Sequence, residues 1–90
     1  MIKPYELESF GILQGNEQTF TCGLYNNGVL VDADFTFELT TDANDSCYKF
    51  TTDGNTFTVK NIRMSVYPLI VHCVSGEHDY YAQIILKGAW

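Results

Sequence analysis

The stretch "FTCGLYNNGVLVDADFTFEL" (20–39) contains two runs in which apolar and polar residues alternate, separated by an Asn-Gly pair. Phe20, Cys22 and Leu24 fall on one side of an extended chain, with Thr21 and Gly23 on the other. Phe35, Phe37 and Leu39 likewise oppose Thr36, Glu38 and Thr40. Successive side chains of a strand point to opposite faces, so a period of two describes a sheet with one buried and one wet face. Asn27 and Gly28 tolerate positive φ and mark a hairpin. Cys22, in the middle of a strand pattern, could be a metal ligand, a nucleophile or a core residue.

The same period recurs along the rest of the chain. Phe57 and Val59 oppose Thr58 and Lys60; Leu69, Val71 and Cys73 oppose Ile70, His72 and Val74, and His72 marks the second set as the outer face. In the last run Ala82, Ile84 and Leu86 point in, while Tyr81, Gln83, Ile85 and Lys87 point out. Turn-forming groups separate these runs about every ten residues, and no 3.6-residue period lasts two turns. The pattern predicts strands over 5–12, 17–25, 33–41, 46–51, 55–61, 68–75 and 79–88. One all-β domain over 1–90 follows, an antiparallel β-sandwich of about seven strands.

Composition narrows the partners. Charged residues make up 18% of the chain, and the net charge is −6 with only five basic residues. Such a chain repels phosphate backbones and anionic lipid surfaces, so neither nucleic acid nor membrane is an expected partner. The longest apolar runs, "PLIVHCV" (68–74) and "IIL" (84–86), are too short to span a bilayer. The opening "MIKPYELESF" (1–10) lacks the apolar run of a secretory leader. The expectation is a chain made in the cytoplasm or cut from a longer protein.

The search for reactive groups points away from catalysis. His72 and Cys73 are adjacent on a strand and face opposite ways, which excludes them as a joint metal site or a nucleophile–base pair. Asp32, Asp34 and Glu38 alternate on a wet face as solvated charges. Asp42, Asn44, Ser46 and Asp53 have the spacing of positions 1, 3, 5 and 12 of a calcium loop, but Cys47 stands where the sharp turn needs glycine. No catalytic residue, metal or cofactor is expected. Tyr25, Tyr48, Tyr67, Tyr80, Tyr81 and Trp90 are the candidate ligand or partner surface, since aromatic residues near turns suit sugars and proteins.

Together with the opening stretch, "GNTFTVKN" (54–61), "LIVHC" (69–73) and "IILKGAW" (84–90) give the chain a resemblance. It resembles the bacterial and bacteriophage immunoglobulin-like modules of virion structural proteins and surface adhesins. The resemblance implies that Cys22 and Cys73 face each other across two sheets with Phe37 on the strand between. Phe37 stands where an antibody domain has tryptophan, and Val71 where it has tyrosine. A Cys22–Cys73 cross-link would contribute about 4 kcal/mol by chain entropy, and free thiols packing as small apolar groups are equally open. Cys47 makes the count odd.

The function implied is non-enzymatic: virion decoration, assembly or weak adhesion, with other virion proteins or host surface glycans as partners. The module would sit in the virion after synthesis in the bacterial cytoplasm, or on the bacterial cell surface. It would be a monomer or weak dimer, with any contact carried by "YYAQIIL" (80–86) and Trp90. The alternative is a standalone binding or inhibitory protein that covers a protein partner with one β face.

Overall fold

Most of the alternating runs become strands bounded by turn residues. The computed structural model of the chain describes residues 2–3 and 8–88, with only the backbone described for 2, 3 and 8. Ten strands run through these residues: β1 (Ile2–Lys3), β2 (Glu8–Leu13), β3 (Glu17–Thr21), β4 (Leu24–Asn26), β5 (Val29–Val31), β6 (Thr36–Thr41), β7 (Tyr48–Asp53), β8 (Thr56–Asn61), β9 (Leu69–Ser75) and β10 (His78–Lys87). One turn of 3-10 helix, Asp45–Cys47, leads into β7. Among the described residues no helix is long and apolar enough to cross a membrane.

Seven of the strands make two packed sheets, one ordered β2-β10-β9-β6 and the other β3-β8-β7. The remaining three, ordered β1-β4-β5, form a small sheet at one end. The expected strand at 17–25 is therefore broken: it leaves β3 after Thr21 and resumes as β4 in the small sheet. Composition gives no sign of the break, because both halves alternate alike. The strand expected at 33–41 begins at Thr36, and residues 5–7 of the first expected strand lie outside the described residues. Asn27 (φ 52) and Gly28 (φ 82) form the two-residue loop between β4 and β5, the pair of positive φ values that a type I′ turn demands.

The sandwich pairs its strands antiparallel, with one exception. β2 runs parallel to β10, Glu8 opposite Ala82 through Leu13 opposite Lys87. The other side of β10 pairs with β9. The last strand thus lies one place in from the sheet edge, with residues 82–84 paired on both sides. The true edges are β2 and β6 in one sheet and β3 and β7 in the other. Two facing sheets, one carrying the second of the sandwich strands and the other its sixth, make this an immunoglobulin-like β-sandwich.

Between the sheets lies an aromatic centre. Phe57, on the middle strand of the three-stranded sheet, is 1% exposed. Its ring meets Phe20 (4.9 Å between centroids), Phe37 (5.2 Å) and Phe50 (5.9 Å). Phe20 reaches β2 through Phe10 at 4.7 Å. Val59, Leu69, Val71, Cys73 and Ile84 fill the layer around this cluster, each fully buried. Phe37 packs on the core only partly buried, so the hub belongs to Phe57 rather than to the aromatic on the third sandwich strand.

Two asparagines fasten the ends of β8. Asn61 continues the inward parity of Phe57 and Val59 and is fully buried. Its amide donates to the carbonyls of Ile12 (2.7 Å) and Lys87 (2.9 Å), joining β8 to the parallel pair in the opposite sheet. At the other end Asn55 accepts from Phe35 N (2.8 Å) and donates to Ala33 O (2.7 Å), while its own carbonyl receives Cys22 N at 2.8 Å.

Candidate interaction surface

The turn between β9 and β10 decides which side chains face outward together. Gly76 (φ +60) and Glu77 make a two-residue loop, so Ser75 pairs with His78 and His72 with Tyr81. On the other side of β9, Glu38 of β6 pairs with His72. Glu38, His72 and Tyr81 therefore form one row across three strands, on the face opposite Leu39, Val71 and Ala82. A slip of one residue would send Tyr81 inward and Tyr80 outward.

The row is organised. His72 Nε2 lies 2.8 Å from Asp79 Oδ2, and its ring stacks on Tyr81 with centroids 4.3 Å apart and planes within 7°. Tyr81 remains 44% exposed, and Ile85 on the same face of β10 is also exposed. Rigid strands thus present an imidazole, a phenol and a carboxylate in fixed relation. That arrangement is suited to recognition through stacking and directed hydrogen bonds.

Of the six aromatic residues singled out in the sequence, the five that are described do not converge. Tyr81 lies on this outer face. Tyr25 is exposed on β4, at the end of the molecule carrying the small sheet, and Tyr67 is exposed in the 62–68 loop at the opposite end. Tyr48 and Tyr80 are half-buried and pack against the core. Tyr80 shares the inward parity of Ala82 and meets Phe35 edge-on at 5.9 Å. Trp90 lies outside the described residues.

Cys22 and Cys73 are both buried, and both are free thiols. The two sulfurs interact. A hydrogen bond from Cys73 outweighs burial and, with the Tyr80 hydroxyl, holds the Cys22 thiol down to about 7. Cys73, as the donor in an apolar setting, is pushed up from its ordinary value. Its Sγ also lies 3.8 Å from the Val71 carbonyl. Cys47 is buried in the loop after β6, where its carbonyl accepts from Ile62 N and Arg63 N.

The calcium-like spacing does not close into a ligand set. Asn44 caps the 3-10 turn by accepting from Ser46 N at 2.9 Å. Asp42 precedes β7 and Asp53 closes it, at opposite ends of a strand whose six residues span roughly 20 Å at strand rise. Asn55 and Asn61 were the polar residues that sequence reasoning missed. The parity of 57, 59 and 61 was the available signal for Asn61; Asn55, in a turn, had none.

A cleft of about 310 Å³ opens between the edges β2 and β3, lined by Phe10, Thr19, Phe20, Cys22 and Tyr80 among others. It leads toward the Cys22 thiol.

No family model matches the sequence, and no curated protein does. Among solved structures, the M1 domain from titin is similar to the chain at 16% identity, with 94% of each chain covered and a TM-score of 0.39.

Proposed function

We propose that the chain is a non-enzymatic immunoglobulin-like module of a bacteriophage structural protein, and that it holds a neighbouring virion protein on the outer face of β6, β9 and β10. The observation that carries this reading is the His72–Tyr81 stack, fixed by Asp79 on an open sheet face. Side chains already ordered before contact lose little entropy on binding, so a small surface of this kind is an efficient contact. The virion setting rests on the sequence likeness of residues 20–39, 54–61, 69–73 and 84–90.

Two measurements test the reading. Purified particles should contain the chain in fixed ratio to head or tail protein; its absence from particles would remove the virion setting. Tyr81→Ala should weaken capture of the neighbouring protein at least tenfold, about 1.4 kcal/mol, without moving the urea midpoint. Retention on immobilised host glycans, lost in the same variant, would assign the face to adhesion instead. The same open face favours a second reading, a standalone protein that covers its partner with one β face. That reading requires the chain to be found free of particles and bound to a single protein.

A further inference from the structure

The molecule has two unlike ends. Its Cα envelope measures 42 × 21 × 20 Å, and the register of the strands assigns every turn to one end or the other. The upper end holds the β4–β5 hairpin and the turns at 54–55 and 76–77. The lower end holds the loops at 14–16, 42–47 and 62–68 and the close of β10.

Charge is divided between these ends. Asp32, Asp34, Asp53, Glu77 and Asp79 are exposed on the upper end. All four basic side chains among residues with described side chains, Lys49, Lys60, Arg63 and Lys87, are exposed toward the lower end. Glu17, Asp42 and Asp45 share that end with them. Lys49 stands directly opposite Lys60 on β7 and β8, a like-charge pairing that costs stability in a sheet.

Both ends also expose apolar side chains. Val29 (65%) and Leu30 (62%) stand out from the upper hairpin, and Val66 (85%) and Met64 (47%) from the lower loop. An acidic end with an apolar crest thus complements an end where four basic side chains outnumber three acidic ones beside an apolar loop.

We infer that the chain associates head to tail with a second copy of itself, the upper end of one molecule on the lower end of the next. The contact is heterologous: it uses two different patches, so each dimer leaves one of each free and growth runs into short linear chains. An end of 21 × 20 Å covers roughly 400 Å² of each copy, about 800 Å² in all, below the ~1,200 Å² at which stable specific interfaces begin. Association is therefore weak. The net charge of −6 opposes it at long range. That repulsion acts over most of a molecular length and is screened beyond about 8 Å at physiological salt, whereas charges in contact are screened far less. Association is consequently strongest near physiological salt and declines on both sides. This inference stands independently of the partner proposed for the outer face.

The test is a charge reversal at each end, read by sedimentation equilibrium up to about 1 mM, where contacts of this size are populated. Lys49→Glu with Arg63→Glu makes the lower end acidic and turns the Lys49–Lys60 conflict into an attractive pair. Asp32→Lys with Asp34→Lys and Asp53→Lys makes the upper end basic, three lysines against Glu77 and Asp79. Wild type should gain average mass with concentration and pass beyond the dimer. Each reversed variant alone should remain monomeric, having two ends of like sign, and an equimolar mixture should regain the wild-type mass. Arg63→Glu with Lys87→Glu, and Asp34→Lys with Asp53→Lys and Glu77→Lys, serve if either variant fails to fold. A wild type that stays monomeric at 1 mM or stops at a closed dimer overturns the inference. So does a reversed variant that associates as wild type does, or a mixture that regains nothing.

Discussion

The seven-stranded body and the small β1-β4-β5 sheet are written in the same alphabet of alternating Val, Leu, Phe, Tyr and Thr, and they differ in what lies beneath them. In the body a second sheet faces the alternating side, and Phe57, Val59 and Leu69 disappear from solvent. Beneath the hairpin no second sheet is found among the described residues, and Val29 and Leu30 stay more than half exposed. Strand pattern records the wish of a segment to be half buried; the facing layer determines whether it is. Stability should accordingly concentrate in the body and fade toward the hairpin.

Four substitutions test that gradient, and the first should have the largest effect. Phe57→Ala removes the ring shared by Phe20, Phe37 and Phe50 and should cost about 3–5 kcal/mol. For a domain of this size that is comparable to the whole stability, and circular dichroism at 25 °C should show an unfolded chain. Retention of a cooperative urea transition within 1 kcal/mol of wild type, about the scatter of surface changes, would place the centre of the core elsewhere.

Asn61→Ala deletes two bonds to backbone carbonyls of the facing sheet and should cost about 2 kcal/mol. The loss is limited because Asn61 Oδ1 is buried without a partner. Urea denaturation with an unchanged slope is the check.

Asn55→Ala should act locally. It frees the 33–35 segment from the turn at the head of β8, at a cost of about 1–2 kcal/mol. Hydrogen exchange should quicken at Phe35 N while Val71 and Cys73 keep their protection. Equal loss of protection across the body would show that the hairpin and the sandwich open as one unit. Smallest of all, Leu30→Ser should shift stability by no more than about 0.5 kcal/mol, and a larger loss would mean the hairpin is held by more than its turn.

The same contrast explains what the sequence made legible. Which side of each sandwich strand faces in was readable, because parity is a property of a strand by itself: His72 and Tyr81 lie out, and Val71, Cys73, Ala82 and Ile84 lie in. Which strand lies beside which was not readable for β10, since Ile85 and Gln83 look the same whether a neighbour is present or absent. Leu24 and Tyr25 were read as the end of a longer strand because Leu24–Asn26 alternates as β3 does, and Val29–Val31 fell between the expected strands. Phe57 and Phe37 are equivalent in pattern, and only the central position of β8 in its sheet makes the first the hub. The outer-face cluster was half legible. The exposure of His72 followed from its parity, whereas its meeting with Asp79 and Tyr81 depends on a turn at Gly76 that fixes register.

The parallel seam between β2 and β10 sets an order of events during synthesis. The pairs β7–β8 and β9–β10 are joined by two-residue turns and can zip as soon as they clear the ribosome. β2 emerges well before its partner, residues 82–87, which is nearly the last part of the described chain to be made. Until then Phe10 and Ile12 have no sheet to rest on. Contacts of such long sequence separation form late and slowly. Until residues 82–87 are made the nascent chain therefore carries an unsatisfied apolar strand, a natural landing place for a chaperone.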